Sequence, residues 1–312
     1  MAERPEEIRT LLNKVDEFII DFAQSQVLPQ PKFFLSCLRA SLAKCYEFLQ
    51  FVYNSTSTES YFFSISTLRG ITEDLIVLGF ISRLEYETSE RLLVYLQFIE
   101  QAERVKNQQL FFEKYRSFQP VITWNEESES LLKMYKDEVK NIWRTNGWPN
   151  FDRKNIPPVR ELAKKIAPEA LDLLYDFIYR LTSSTVHFSS QALLRLGWGN
   201  LEDKVTFSVK HLPLYYEKFC QIYGALLFCL YFELFEQHIN PNSVVISAIA
   251  EIRKSILSAN NRWPEMITFE EMNMDVPQFD PDYEYQHSLI IEKFRHGFLQ
   301  NTTRPDTPSA AD

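Results

Sequence analysis

Residues 222–235 read IYGALLFCLYFELF, the longest apolar run in the chain, with Glu233 inside it. A helix that spans a bilayer needs about 20 apolar residues. This run is shorter and carries a charge, so it reads as the buried core helix of a folded domain. Composition agrees. Hydrophobic residues make up 45% of the 312, with 25 Phe and 15 Tyr, which is ample material for a core. Only seven residues are Gly. Repeated hairpins need Gly-rich turns and helix interiors avoid Gly, so the scarcity favours helices.

Outward from that run, helical periodicity recurs on both sides. Helices are expected over 214–235 and 241–258 downstream. Upstream they are expected over 6–25, 33–52, 61–83, 87–116, 126–145, 158–166 and 169–187. Leu194, Leu196 and Trp198 alternate with polar or small residues, as do Val205, Phe207 and Val209, and Gly197, Gly199 and Asn200 lie nearby. That pattern predicts one small β-hairpin near 193–210. The fold class expected is all-α: a multi-helix bundle forming a single domain over 1–300. Its core covers 30–240 and a helical extension 241–300, with an irregular stretch at 260–282 and a helix at 283–299. Residues 301–312 have the composition of a disordered tail.

The net charge of −9 disfavours nucleic-acid binding over the whole surface, but the charge is uneven. Between Lys133 and Lys165, nine basic residues face four acidic ones, a local balance of +5. From Glu265 to Asp312, ten acidic residues face three basic ones, a balance of −7. Cys37, Cys45, Cys220 and Cys229 have neither C-x-x-C spacing nor a histidine at metal-ligand spacing, and read as buried thiols of a reducing cytosol. The charged start, Met1-Ala2-Glu3-Arg4-Pro5, has no apolar signal core, so a cytoplasmic location without a membrane anchor is expected. There is no Gly-rich phosphate loop, no H-E-x-x-H and no G-x-S-x-G. His211, His238, His287 and His296 are scattered. No metal and no cofactor is expected.

Two polar stripes interrupt apolar helices. Phe62, Arg69, Glu73, Ile76 and Phe80 fall on one helical face, where Glu73 can reach Arg69 within a turn. Charges in line with an apolar stripe need a partner or a cavity. On the helix ending at His187, Asp176, Arg180, Ser184 and His187 follow at steps of four, four and three. Asp176 and Arg180 are spaced to pair. Between the stripes, Trp143, Arg144, Trp148, Phe151, Arg153 and Lys154 interleave aromatic and basic residues in and beside a Pro-rich loop. That suits single-stranded nucleic acid, with Arg144, Trp148, Arg153 and Lys154 as the contacts.

The spacing Arg180-x6-His187 resembles the R-x4-6-H signature of the helical HEPN superfamily (higher eukaryotes and prokaryotes nucleotide-binding). Many of its members are metal-independent ribonucleases that act as dimers in bacterial toxin and defence systems. The resemblance implies proton transfer at the RNA 2′-OH by His187 and stabilisation of the phosphorane charge by Arg180. Glu73, Arg69 and Ser184 would support them. Leu181 departs from the polar residue that usually follows that arginine. Leu68-Arg69-Gly70-Ile71-Thr72-Glu73, with Tyr175, Arg180 and Ser183-Ser184-Thr185-Val186-His187-Phe188-Ser189, is similar to a bacterial family catalogued as domain of unknown function 5677. That resemblance covers about residues 30–240. It implies a helical fold in which the two motif-bearing helices approach one another, and assigns no activity.

Three readings stay open: a buried network that only fixes helix packing, a catalytic site, and a ligand sensor. The expected function is a bacterial effector of toxin or antiviral-defence type, acting as a metal-independent ribonuclease. The alternative is a non-enzymatic scaffold or sensor. RNA, a protein encoded in the same operon and a second copy of the chain are the expected partners.

Overall fold

The computed structural model describes residues 4–24, 32–55, 60–151, 155–166, 171–186, 197–198, 206–207, 213–258 and 263–264. Two compact units are distinguished. The first, Met1–Phe188 with Pro213–Pro264, contains α1 (Arg4–Ala23), α2 (Phe33–Asn54), α3 (Ser60–Ile81), α4 (Tyr86–Tyr115), α5 (Glu126–Thr145), α6 (Val159–Ala163), α7 (Leu171–Val186), α8 (Pro213–Ile239) and α9 (Ser243–Leu257). It is a helical bundle, as the periodicity and scarce glycine predict. In the second unit, Ser189–Leu212 with Glu265–Asp312, β1 (Gly197–Trp198) runs antiparallel to β2 (Thr206–Phe207). Gly197 stands opposite Phe207, and Trp198 opposite Thr206. The rest of the expected hairpin, the expected 283–299 helix and the 301–312 tail lie outside the described residues.

The apolar run 222–235 lies inside α8. This helix packs against α2, α3 and α9, so its hydrophobicity on every side has neighbours to cover it. Phe219, Phe228, Tyr231 and Phe235 are fully buried. Tyr216–Ile239 is long and apolar enough to cross a membrane, with a mean hydropathy of 1.3, and 72% of its apolar window is buried within the bundle. The Ser41 hydroxyl of α2 bonds the Tyr231 hydroxyl, which also lies 3.4 Å from the Ile71 carbonyl of α3. One phenol therefore ties three helices together. Phe235 leaves helical geometry (φ −122°, ψ 21°) and kinks α8, and Asn240 at φ 50° ends the turn.

Local chemistry sets the other helix ends. Asn125 caps α5 by accepting the Ser128 N–H at 2.9 Å, and Glu126, Glu127 and Glu129 complement the dipole of its first turn. At the far end Gly147 adopts φ 101°, a left-handed conformation that costs other residues more. The chain thereby turns back so that the Trp148 N–H reaches the Trp143 carbonyl at 3.1 Å. The Glu90 carboxylate of α4 accepts the N–H groups of Phe33 and Phe34 at 2.7 and 3.0 Å, closing the start of α2. That contact holds α2 and α4 side by side as two walls of a cleft.

Candidate functional site

Helices α2, α3, α4 and α7, with residues 156–160, enclose a cleft of about 1220 Å³. Its floor is apolar, from Phe33, Val77, Leu78, Leu93 and Leu96. Its charged groups are mostly paired across or along its walls. Arg69 Nε donates to Glu73 Oε1 at 2.9 Å, within α3. Lys44 Nζ of α2 meets Asp74 Oδ2 of α3 at 2.8 Å. Arg160 Nε of α6 meets Asp176 Oδ2 of α7 at 2.8 Å. Spacing within α7 predicted Asp176 to pair with Arg180. The carboxylate instead takes a cation from another helix, because α6 packs against α7 and brings Arg160 to it.

The α3 stripe meets α7 here. The Arg69 guanidinium lies 4.4 Å from the centroid of the Tyr179 ring, a cation–π contact. Tyr175 and Tyr179, one turn apart, meet at a tilt of 41° with ring centroids at 5.5 Å. Burial pushes the Tyr175 phenol up to about 12, with the Glu73 carboxylate adding to the rise and Arg69 opposing it. At neutral pH that phenol stays protonated, a donor beside Glu73. Cys37 also lines the cleft. Burial raises its thiol pKa, and the carboxylates of Glu90, Asp74 and Glu100 raise it further, which makes it a poor nucleophile.

Of the residues singled out by sequence, Arg69 and Glu73 are thus joined in the cleft wall. Arg180 lies on α7 one turn beyond Asp176, exposed and without an ion-pair partner among the described residues. Ser184 falls in α7, but its side chain lies outside the described residues, as do His187, Arg153 and Lys154. Arg144 is exposed, and its Nε donates to the Phe151 carbonyl at 3.2 Å. Trp148 is half-buried: it packs edge-on against Phe80 and Trp143, and Lys165 Nζ sits 3.7 Å from its ring centroid. That ring is engaged by protein on several sides. Trp143 is fully buried and donates to the Asn155 carbonyl at 2.9 Å.

Tyr179, Arg160, Lys44 and Asp74 also belong to the cleft, although no motif marks them as site residues. One signal was present: Tyr175, Asp176 and Tyr179 share a helical face. Lys44 and Arg160 come from other helices, so no local spacing announces them.

The model of a family of unknown function, DUF5677, matches residues 32–205, more than half of the chain. The chain belongs to the DUF5677 family. Every residue of the cleft falls inside the DUF5677 match. No curated protein and no solved structure matches the chain.

Proposed function

We propose that this DUF5677 chain is a cytoplasmic effector of toxin or antiviral-defence type that cleaves RNA without a metal at the end of α7. The observation that carries the reading is the distribution of cations. Arg69, Lys44 and Arg160 each have a carboxylate within 2.9 Å, whereas exposed Arg180 has no ion-pair partner among the described residues. A guanidinium that no carboxylate neutralises can take a phosphate. The Arg69–Tyr179 contact holds the helix that presents it, and in this reading Arg69 and Glu73 play a supporting role. In this reaction His187 takes the 2′-OH proton and the 2′-oxygen attacks phosphorus. Arg180 stabilises the charge of the phosphorane, and the 5′-oxygen leaves with the proton that the His187 imidazolium gives back. The products are a 2′,3′-cyclic phosphate and a 5′-hydroxyl. Ser184 supports this pair, and Arg144, Arg153 and Lys154 contact the strand, while the Trp148 ring, already covered by Phe80, Trp143 and Lys165, shapes the loop beside them.

RNA cleavage in EDTA tests the reading. Wild type is expected to cut and to leave cyclic phosphate ends. Arg180→Ala and His187→Ala are expected to lose at least about 100-fold in rate while retaining wild-type urea midpoints. Equal cleavage by the variants, or no cleavage by wild type, overturns it.

The apolar floor and paired rim of the cleft favour a second reading, a scaffold or sensor that takes a ligand or partner segment there. In that case wild type does not cut, and His187→Ala acts only on stability or binding. Loss of several kcal/mol with that substitution would mark a structural network.

A further inference from the structure

Helices α4 and α5 form an arm whose far end carries an uncovered apolar patch. The buried residues of α4 stop at Ala102, although the helix runs to Tyr115. The start of α5 is anchored beside residues 106–109. The Trp124 N–H donates to Gln109 Oε1 at 2.5 Å, and Glu129 accepts from Lys106 Nζ at 2.9 Å and from Trp124 Nε1 at 2.8 Å. Beyond Gln109, α4 therefore overhangs α5 by about 9 Å at 1.5 Å per residue. Phe111 and Tyr115 lie on the overhang, with ring centroids 5.3 Å apart, and both are exposed. Phe118 and Ile122 in the following turn are 75% and 70% exposed. On α5, Leu131 and Met134 are exposed three residues apart, and Glu127 lies one turn before Leu131. Among the described residues, seven of fifteen exposed large apolar side chains fall between 110 and 134. Scattered single exposures are ordinary; a contiguous aromatic patch marks a contact surface.

The charges at this tip indicate what covers it. Lys114 and Arg116 stand at the end of α4, the first 5.1 Å from the Tyr115 ring centroid and the second 5.8 Å from that of Phe118. Glu126 and Glu127 stand at the start of α5, and none of these four has an ion pair among the described residues. A patch with both signs at its rim is complementary to itself across a two-fold axis. We propose that the arm tip is a self-association surface on which a second copy of the chain docks antiparallel. The aromatic overhang of each copy covers Leu131 and Met134 of the other, and Lys114 and Arg116 face Glu126 and Glu127. Seven large apolar side chains, each 38–75% exposed, supply the apolar part of such a contact, and the charged rim adds the rest toward the ~800 Å² per partner of a stable interface.

Sedimentation of the full chain over a concentration series tests the proposal. Wild type is expected to reach a dimer. Phe111→Ser with Phe118→Ser should weaken association at least about tenfold, and so should Arg116→Glu or Glu127→Arg alone. An equimolar mixture of the two charge reversals should form a heterodimer within about threefold of wild-type affinity, because each regains an opposite charge. All these positions are exposed, so the variants should keep the wild-type unfolding midpoint. A wild-type monomer up to about 100 μM, a dimer indifferent to the substitutions, or a mixture that fails to recover would overturn it. A monomer would leave the tip to a foreign protein.

Discussion

Arg69 is held from two sides, by the Glu73 carboxylate at 2.9 Å and by the Tyr179 ring at 4.4 Å. The two charged side chains are 22% and 32% exposed, so solvent screens their attraction in part. That places the Arg69–Glu73 coupling at about 0.5–1 kcal/mol, with a cation–π contribution of about the same size. Arg69→Ala and Glu73→Ala should each lower stability by roughly 1 kcal/mol. A double-mutant cycle in urea should return the coupling; strictly additive losses would show that the two residues do not act together. Arg69→Lys should recover the charge but not the flat contact with Tyr179, and so only part of the loss. The carboxylate of Asp176 shows how a residue-scale expectation fails. Its i,i+4 partner Arg180 was within reach by spacing, yet Arg160 reaches it from another helix at 2.8 Å.

At the scale of elements, α8 packs tightly on α2 at Gly224. A Cβ there would lie 2.9 Å from Phe48 Cε1 and 3.0 Å from Leu49 Cδ2. Alanine is the better helix former by about 1 kcal/mol. Against that, forcing a methyl group between packed helices typically costs about 1–3 kcal/mol. Ring and leucine are themselves buried and have little room to withdraw. Overpacking should therefore win, and Gly224→Ala is expected to lower the urea midpoint; a midpoint equal to wild type or higher would mean that the two helices slide apart freely. Helix existence was legible at this scale because it depends on periodicity within one segment. The expected 126–145 helix matches α5 in full, and the expected 87–116 and 241–258 helices match α4 and α9 to within a few residues. The end of α8 was less legible. Periodicity lapses near Phe235, where the helix kinks but continues to Ile239.

Over the whole molecule the dominant feature is the split of charge, +5 in residues 133–165 against −7 in residues 265–312. If the middle binds RNA as proposed, the acidic segment competes for it. Deletion of residues 265–312 should then tighten RNA binding and steepen its dependence on salt, because more phosphate contacts release more counterions. Filter binding across a salt series checks this; an unchanged slope and affinity would rule out competition.

By itself the amino-acid order determined that this chain is a helical bundle, where most helices lie and which residues interrupt their apolar faces. Those are local properties, since a 3.6-residue period and a few capping residues suffice to encode them. Only the tertiary structure decided which side chains share a site. Lys44 with Asp74, Arg160 with Asp176 and Arg69 with Tyr179 meet across separate helices. Their meeting depends on how α2 seats against α3, α6 against α7, and α3 against α7, a helix about a hundred residues downstream. Burial of large side chains such as Phe219, Phe228 and Ile65 sets that seating, and no spacing within one segment carries it.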